Sequence, residues 1–204
     1  MPAALVWGFW LASSPWARGG ATAIAGWAKF GALLVAPLWA TYPGPRAPVR
    51  DADEGRGSRG TGRFPQLAKF AAAFALATVA LFSILLLEPN LFDALRTFGR
   101  RTLEYQIERE SPFSLWDWGQ YHARGIPNLS AVQTLLQVGV LVIAGVAAAV
   151  PRRKGPLELA ALTAAVLLAF ELVLTHWFYL YLPWLLPFVL LAFFLQRRPA
   201  DAVA

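Results

Sequence analysis

The densest group of side chains that could do chemistry lies between residues 100 and 116. In this segment Arg101, Gln106 and Arg109 supply hydrogen-bond donors that could converge on one anion. An arginine guanidinium donates two parallel hydrogen bonds to neighbouring phosphate oxygens, which suits it to anionic lipid headgroups. These three residues therefore predict a phosphate-binding site.

Two carboxylates in the same segment are candidates for a general base. Glu104 and Glu108 are four residues apart, so on a helix they lie one turn apart on one face. Either could accept a proton from a substrate hydroxyl. The alternative is a solvated helix face, on which Arg100 pairs with Glu104 for about 0.3–0.5 kcal/mol. The sequence leaves both interpretations open.

Two charged residues lie inside long apolar runs, where a charge is costly unless it has a partner. Lys29 either pairs with Glu171 from another helix or extends its ammonium towards water, or else it contacts the phosphate of a lipid. Glu171 precedes His176 by about one turn and is either a hydrogen-bonding group between helices or part of a proton relay. The sequence predicts a buried polar site here without choosing between these roles.

Residue usage restricts the cofactors that the chain could hold. It contains no cysteine and two histidines, so we expect no disulfide, thiolate metal site or histidine-rich zinc site, and no organic cofactor is evident. Residues 55–60 match the G-x-G-x-x-G pattern of dinucleotide sites. Because that pattern has meaning only between a strand and a helix, we interpret it as part of a flexible linker.

Apolar composition indicates the elements that must position these groups. The chain has 204 residues, of which 57% are hydrophobic and 15% charged, and its apolar stretches recur at membrane-spanning length. We expect an all-α, polytopic transmembrane helix bundle in one domain, 1–204, with a partial helix at the N-terminus. The five predicted full spans are 20–42, 64–87, 129–150, 157–175 and 177–195.

Basic residues orient these spans. Most of the 18 Lys and Arg residues fall in or beside the loop 43–63, the connector 151–156 and the C-terminal tail, which all lie on one side if the spans alternate. Basic residues in short loops favour the cytoplasm. We therefore expect a flexible cytoplasmic loop at 43–63, an extracytoplasmic loop at 88–128 and a cytoplasmic C-terminus. Because topology explains the basic residues, no nucleic-acid partner is predicted.

The outer loop also contains an amphipathic pattern. Leu91, Leu95, Phe98 and Tyr105 share one helical face, whereas charged residues occupy another. We expect an interfacial helix that ends before Pro112.

Several stretches resemble bacterial membrane proteins related to glycosyltransferase family 87 of the GT-C superfamily. The similar block in the outer loop contains Arg101–Thr102, Gln106, Arg109 and residues 111–116. Other similar stretches are Lys29–Phe30 with 36–43, the basic connector 151–156, and 176–187, which begins with His176 and includes Tyr179. The resemblance covers about residues 16–195.

This resemblance implies a membrane glycosyltransferase that moves a hexose, such as mannose, from a polyprenyl-phosphate donor to a lipid or glycan acceptor outside the membrane. It implies that Lys29, Arg101, Gln106, Arg109, His176 and Tyr179 contact substrate. Family members have more spans and carry a catalytic acidic residue in their first outer loop. We therefore expect this chain to be the C-terminal part of such a protein, with the metal requirement undetermined.

Two other classes of protein fit the same composition. A transporter or lipid flippase would account for Lys29, Glu171 and the paired Pro183 and Pro187, which are features of broken helices and ion pathways. A non-catalytic membrane subunit is the third possibility. The absence of a detectable internal repeat and the arginine-rich outer loop favour the transferase.

Overall fold

The computed structural model describes residues 1–42, 63–104, 114–116, 125, 127–151, 154–175 and 181–196. All regular structure within these ranges is helical, as the apolar composition predicts. The α-helices in chain order are α1 (Pro2–Trp10), α2 (Pro15–Ala28), α3 (Ala36–Thr41), α4 (Arg63–Phe82), α5 (Leu91–Gly99), α6 (Ser130–Ala149), α7 (Pro156–Leu172) and α8 (Leu182–Gln196).

Two of these helices are long and apolar enough to cross a membrane. One is α4 with its 3₁₀ continuation, Phe64–Leu87, and the other is α6, Ser130–Ala149; they contain 24 and 20 residues, with mean hydropathies of 2.5 and 2.0. A bilayer core of about 30 Å requires about 20 helical residues. Only 11% and 22% of their most apolar windows are buried inside the protein, so most of their apolar side chains face outward.

The predicted span 20–42 is a hairpin and not a continuous helix. Helix α2 ends at Ala28, Lys29 is extended (φ −156°, ψ 113°), and a 3₁₀ segment, Phe30–Val35, leads into α3. In a straight helix Arg18 and Trp39 would be about 30 Å apart. Instead the Arg18 Nε donates a hydrogen bond to the Trp39 carbonyl oxygen at 2.9 Å. The chain therefore reverses direction at Lys29.

Glycine permits the close contacts of this α2–α3 hairpin, which we define as residues 15–41. A side chain at Gly26 would collide with Leu33 on the opposite arm. A side chain at Gly31 would collide with the ring of Phe170 on α7. Hydropathy averaged along the chain treats the two arms as one apolar segment, which explains why the sequence-based prediction was wrong at this point.

Arg18 holds the two arms together at the end opposite Lys29, which we call the base of the bundle. Its side chain has no solvent exposure and hydrogen-bonds to the carbonyl oxygens of Ala12 and Trp39. Its guanidinium also lies 5.4 Å from the centre of the Tyr42 ring. These carbonyls lie at or just beyond helix C-termini, where acceptors lack intrahelical partners and favour a nearby cation.

Side-chain hydrogen bonds join other helix ends at the base. The Thr41 Oγ1 donates to the carbonyl oxygen of Ala148 at 2.8 Å, and the Lys154 Nζ donates to the same oxygen at 2.9 Å. Within the core, the Trp39 Nε1 donates to the Thr163 Oγ1 at 3.0 Å. The hairpin thus packs between α4 on one side and α6 and α7 on the other, with Lys29 at the opposite, apical end.

The chain reversal makes a prediction about membrane sidedness. Cysteines introduced singly at Ser13 and Gln196 are expected to react from the same side of the membrane, because the hairpin returns to the base. A cysteine at Asn128 should react from the other side. Labelling with an impermeant maleimide in whole cells and in inverted vesicles measures this. Labelling of Ser13 and Gln196 from opposite sides would contradict the hairpin.

Candidate anion-binding site at the apical end

Lys29 lies at the apex of the hairpin, beside two aromatic rings of the α8 region. Its Nζ is 5.2 Å from the ring centres of both Tyr181 and Trp184, within the range of cation–π attraction. A cavity of about 320 Å³ opens at this point, which we call the Lys29 cavity. Its lining includes Trp27, Lys29, Phe30, Thr102, Phe170, Leu174, Tyr181 and Trp184.

No carboxylate neutralises Lys29 within the part of the chain that the structure describes. The predicted alternative of a Lys29–Glu171 ion pair is not found there, where Arg100–Glu104 is the ion pair present. Glu171 is 7% exposed, and its Oε1 has no hydrogen-bond partner among those residues. The apex thus combines a cation, aromatic rings and open space, which is an arrangement that suits an anionic ligand.

A series of aromatic ring contacts begins at the wall of the Lys29 cavity. Trp27 packs edge-to-face against Phe30 at 5.9 Å and against Phe82 at 4.9 Å, and Phe82 packs against Phe98 of α5 at 5.0 Å. Edge-to-face pairs at these separations stabilise a fixed geometry. These contacts connect the hairpin to α4 and α5.

Helix α5 begins at the N-cap Asn90, whose Oδ1 accepts hydrogen bonds from the backbone N–H groups of Phe92 and Asp93. Leu91 and Leu95 are exposed on it, as expected for an interfacial helix. The α-helix ends at Gly99 and continues as a π-helical turn, Arg100–Glu104.

Arg101 lies in this turn and lines a second, open cavity of about 550 Å³, the Arg101 cavity. Thr102, the next residue, lines both this cavity and the Lys29 cavity. The predicted phosphate contacts Lys29 and Arg101 therefore line neighbouring cavities, although 72 positions separate them in sequence.

Glu104 is not in a position that supports a role as base. Its Oε2 lies 3.4 Å from the Nε of Arg100, both side chains are about two-thirds exposed, and neither lines the two cavities. An exposed pair of this kind contributes little to stability. The carboxylates that do line the Arg101 cavity are Glu88 and Asp93, and sequence reasoning missed both. Both residues lie beside the break between α4 and α5, and this position in the sequence could have indicated them.

Five predicted site residues lie outside the described ranges: Gln106, Glu108, Arg109, His176 and Tyr179. Their roles stay predictions. Within the described ranges, no group of three or more His, Cys, Asp or Glu side chains could hold a metal ion.

Polar side chains from two other segments complete the C-terminal end of α7, next to the Lys29 cavity. The Gln133 Nε2 donates to the Val173 carbonyl oxygen at 3.0 Å, and the Trp116 Nε1 donates to that of Leu172 at 2.9 Å. The last carbonyls of a helix have no intrahelical partner, so these contacts satisfy them. They tie the segment 114–116 and helix α6 to the end of α7. A glutamine within the apolar sequence of α6 could have indicated this role.

Over the residues that the structure describes, the protein is all-helical, with two helices long and apolar enough to span a membrane and a cavity at the apical end that Lys29 lines. No protein-family model, curated protein or solved structure matches this chain.

Proposed function

We propose that this chain is a multi-pass cell-membrane protein that binds a polyprenyl-phosphate sugar and serves a glycosyltransferase reaction on the outer face. The apical cavities support this proposal, because Lys29 lines a cavity with aromatic walls and Arg101 lines the adjacent one together with the carboxylates of Glu88 and Asp93. A lipid phosphate keeps its anionic head at the interface, where such groups can contact it. The acceptor would be a lipid or a glycan.

The proposed topology has four crossings and one re-entrant hairpin in place of five spans. Helices α4, α6, α7 and α8 would cross, while the α2–α3 hairpin would enter and leave from the cytoplasmic side. The C-terminus would be cytoplasmic, because most basic residues then lie inside. Irregular backbone at membrane depth is tolerated where protein or a water-filled cavity surrounds it, as at Lys29.

The chemistry requires a phosphate contact and a base. An oxygen of the acceptor hydroxyl would form a bond to the anomeric carbon while the bond from that carbon to the donor phosphate oxygen breaks. The hydroxyl proton would pass to a carboxylate, and a guanidinium would stabilise the departing phosphate. Arg101 suits the second task, and Glu108 stays the sequence-predicted candidate for the first.

Arg101→Ala tests the proposed phosphate contact. The variant is expected to bind a polyprenyl-phosphate hexose about tenfold to a hundredfold more weakly, because a hydrogen bond to a charged group contributes about 1.5–3 kcal/mol. Transfer of radiolabelled sugar in membranes should fall in parallel. Arg96→Ala is the matched control, because Arg96 is an exposed arginine on α5 that lines neither cavity. Equal affinities for the two variants would contradict the proposal.

A transporter or flippase is the second candidate. It is favoured by the helix break at Lys29 and by the Oε1 of Glu171, which is buried and has no hydrogen-bond partner among the described residues. Both are features of intramembrane transport pathways. Reconstitution separates the two functions. Movement of labelled lipid-linked sugar across proteoliposomes without cleavage of its sugar–phosphate bond would support the transporter and contradict the transferase.

A further inference from the structure

Glu171 is a buried carboxyl group that the proposed phosphate site does not use. It lies in the last turn of α7, it is 7% exposed, and its Oε1 has no hydrogen-bond partner among the described residues. A buried carboxylate is costly unless a positive charge or hydrogen-bond donors compensate it. The C-terminal end of a helix adds to this cost, because the helix dipole is negative there. The carboxylate therefore needs a positively charged partner, either a proton or a cation.

The elements packed against α7 supply no such cation to Glu171. They are α3, α6, α8 and the 3₁₀ segment Phe30–Val35, and none of them contains a charged residue within the bounds given above. The segment 114–116, which hydrogen-bonds to the end of α7, contains none either. Two titratable groups adjoin these elements at the apical end. They are Lys29, the N-cap of the 3₁₀ segment, and Tyr181, the residue before α8.

Lys29 and Glu171 belong to elements that meet at the wall of the Lys29 cavity. Phe170, the residue before Glu171, lines this cavity, and so does Leu174, one turn farther along the chain. The Phe170 ring packs so closely on Gly31, two residues after Lys29, that a side chain at Gly31 would collide with it. The two groups form no ion pair within the described part of the chain. They can therefore influence each other through the wall of the cavity and not by contact.

The close packing of Phe170 on Gly31 brings the two groups within the range of electrostatic interaction. Unit charges about 10 Å apart in a protein interior change each other's binding equilibria by about tenfold. Salt screens such buried charges much less than charges on the surface. An ionised Glu171 would therefore cancel part of the attraction between Lys29 and an anion in the cavity, whereas a protonated Glu171 would leave that attraction intact.

We infer that Glu171 is a proton-binding site that sets the anion affinity of the Lys29 cavity. The protonated carboxyl group permits tight binding of a phosphodiester, which is the group that joins sugar and lipid in the proposed donor. The ionised carboxylate weakens this binding about tenfold. Because the two equilibria are linked, binding of the anion takes up a proton at Glu171. The inference rests on the proposed function for the identity of the anion.

Binding of dibutyl phosphate to the purified full chain in detergent tests the inference. This phosphodiester keeps a single negative charge from about pH 5.5 to 8.5, the range in which histidine and buried carboxyl groups titrate. Its affinity should fall about tenfold as the pH rises through this range. Glu171→Gln should bind it tightly at every pH, because an amide cannot ionise. Glu104→Gln is the matched control and should keep the original pH dependence, because Glu104 is an exposed carboxylate that lines neither apical cavity.

Proton uptake gives a second measurement that needs no substitution. Isothermal titration of the unchanged protein with dibutyl phosphate, in two buffers of different ionisation enthalpy, should show uptake of a fraction of a proton for each anion bound. Absence of uptake at every pH in the range would overturn the inference. A pH dependence that persists in a folded Glu171→Gln variant and disappears in His176→Gln would also overturn it, because His176 would then be the titrating group.

The outcomes separate this inference from the proposed function. Loss of sugar-donor binding in Arg101→Ala, with pH-independent anion binding in the unchanged protein, would remove the role of Glu171 and leave the proposed function in place. Proton uptake that depends on Glu171, with no sugar transfer from any polyprenyl-phosphate donor in membranes, would remove the transferase and keep the proton site.

Discussion

Replacing Lys29 by methionine is expected to weaken binding of a prenyl phosphate about tenfold to a hundredfold. Methionine keeps an unbranched side chain at the apex and removes the charge. The Lys29 ammonium has no carboxylate partner among the described residues, so its charge is available to an anion in the cavity. A charged hydrogen bond to phosphate contributes about 1.5–3 kcal/mol, which corresponds to this change in affinity.

Isothermal titration with farnesyl phosphate measures the effect of Lys29→Met. Lys69→Met is the matched control, since Lys69 is an exposed lysine on α4 that lines neither the Lys29 cavity nor the Arg101 cavity. Lys29→Arg should retain part of the affinity, because it keeps the charge with a different shape. If Lys29→Met and Lys69→Met bound the ligand equally, the apex would have no role in anion binding.

Replacing Arg18 by alanine is expected to lower the free energy of unfolding by about 3–5 kcal/mol. The substitution leaves the carbonyl oxygens of Ala12 and Trp39 without their donor and opens a cavity at a site with no solvent exposure. The free energy of unfolding of Arg18→Lys should lie between those of the unchanged protein and Arg18→Ala. One ammonium cannot reproduce a guanidinium that donates to both carbonyls.

Denaturation of the purified protein by SDS in mixed micelles, followed by tryptophan fluorescence, measures this loss of stability. Arg96→Ala is the control, because it removes an arginine of the same size from an exposed position. A change smaller than about 1 kcal/mol in Arg18→Ala would mean that the hairpin is held by apolar packing, with Arg18 dispensable.

The long apolar helices could be predicted because their signal is local. Residues 64–87 and 129–150 combine sufficient length with continuous hydropathy, and the structure has helices at Phe64–Leu87 and Ser130–Ala149. The start of α5 was also predictable, because Leu91 and Leu95 repeat with helical spacing.

The hairpin and the cavities depend on contacts between distant residues, which no local pattern contains. The hydrogen bond from Arg18 to Trp39 forms only in the folded chain. The same is true of the close approach of Phe170 to Gly31, which leaves no room for a side chain there. The sequence-based prediction placed Lys29 inside a continuous span, whereas the structure breaks the helix at this residue. Its partners Tyr181 and Trp184 follow more than 150 residues later, so the sequence offered no means of pairing them.

The hairpin also has a consequence for the order in which the protein is made. Each arm is about 21 Å long, shorter than the bilayer core, so neither arm inserts stably as an independent span. The surfaces that receive it belong to helices synthesised later, including Phe170 and Thr163 of α7. During translation the ribosome must therefore add well over a hundred residues before the apex of the hairpin reaches its final environment. In the proposed membrane topology, Lys29 and Arg18 would lack part of their final surroundings until those later helices are made, so both charges would have to stay out of contact with lipid until then.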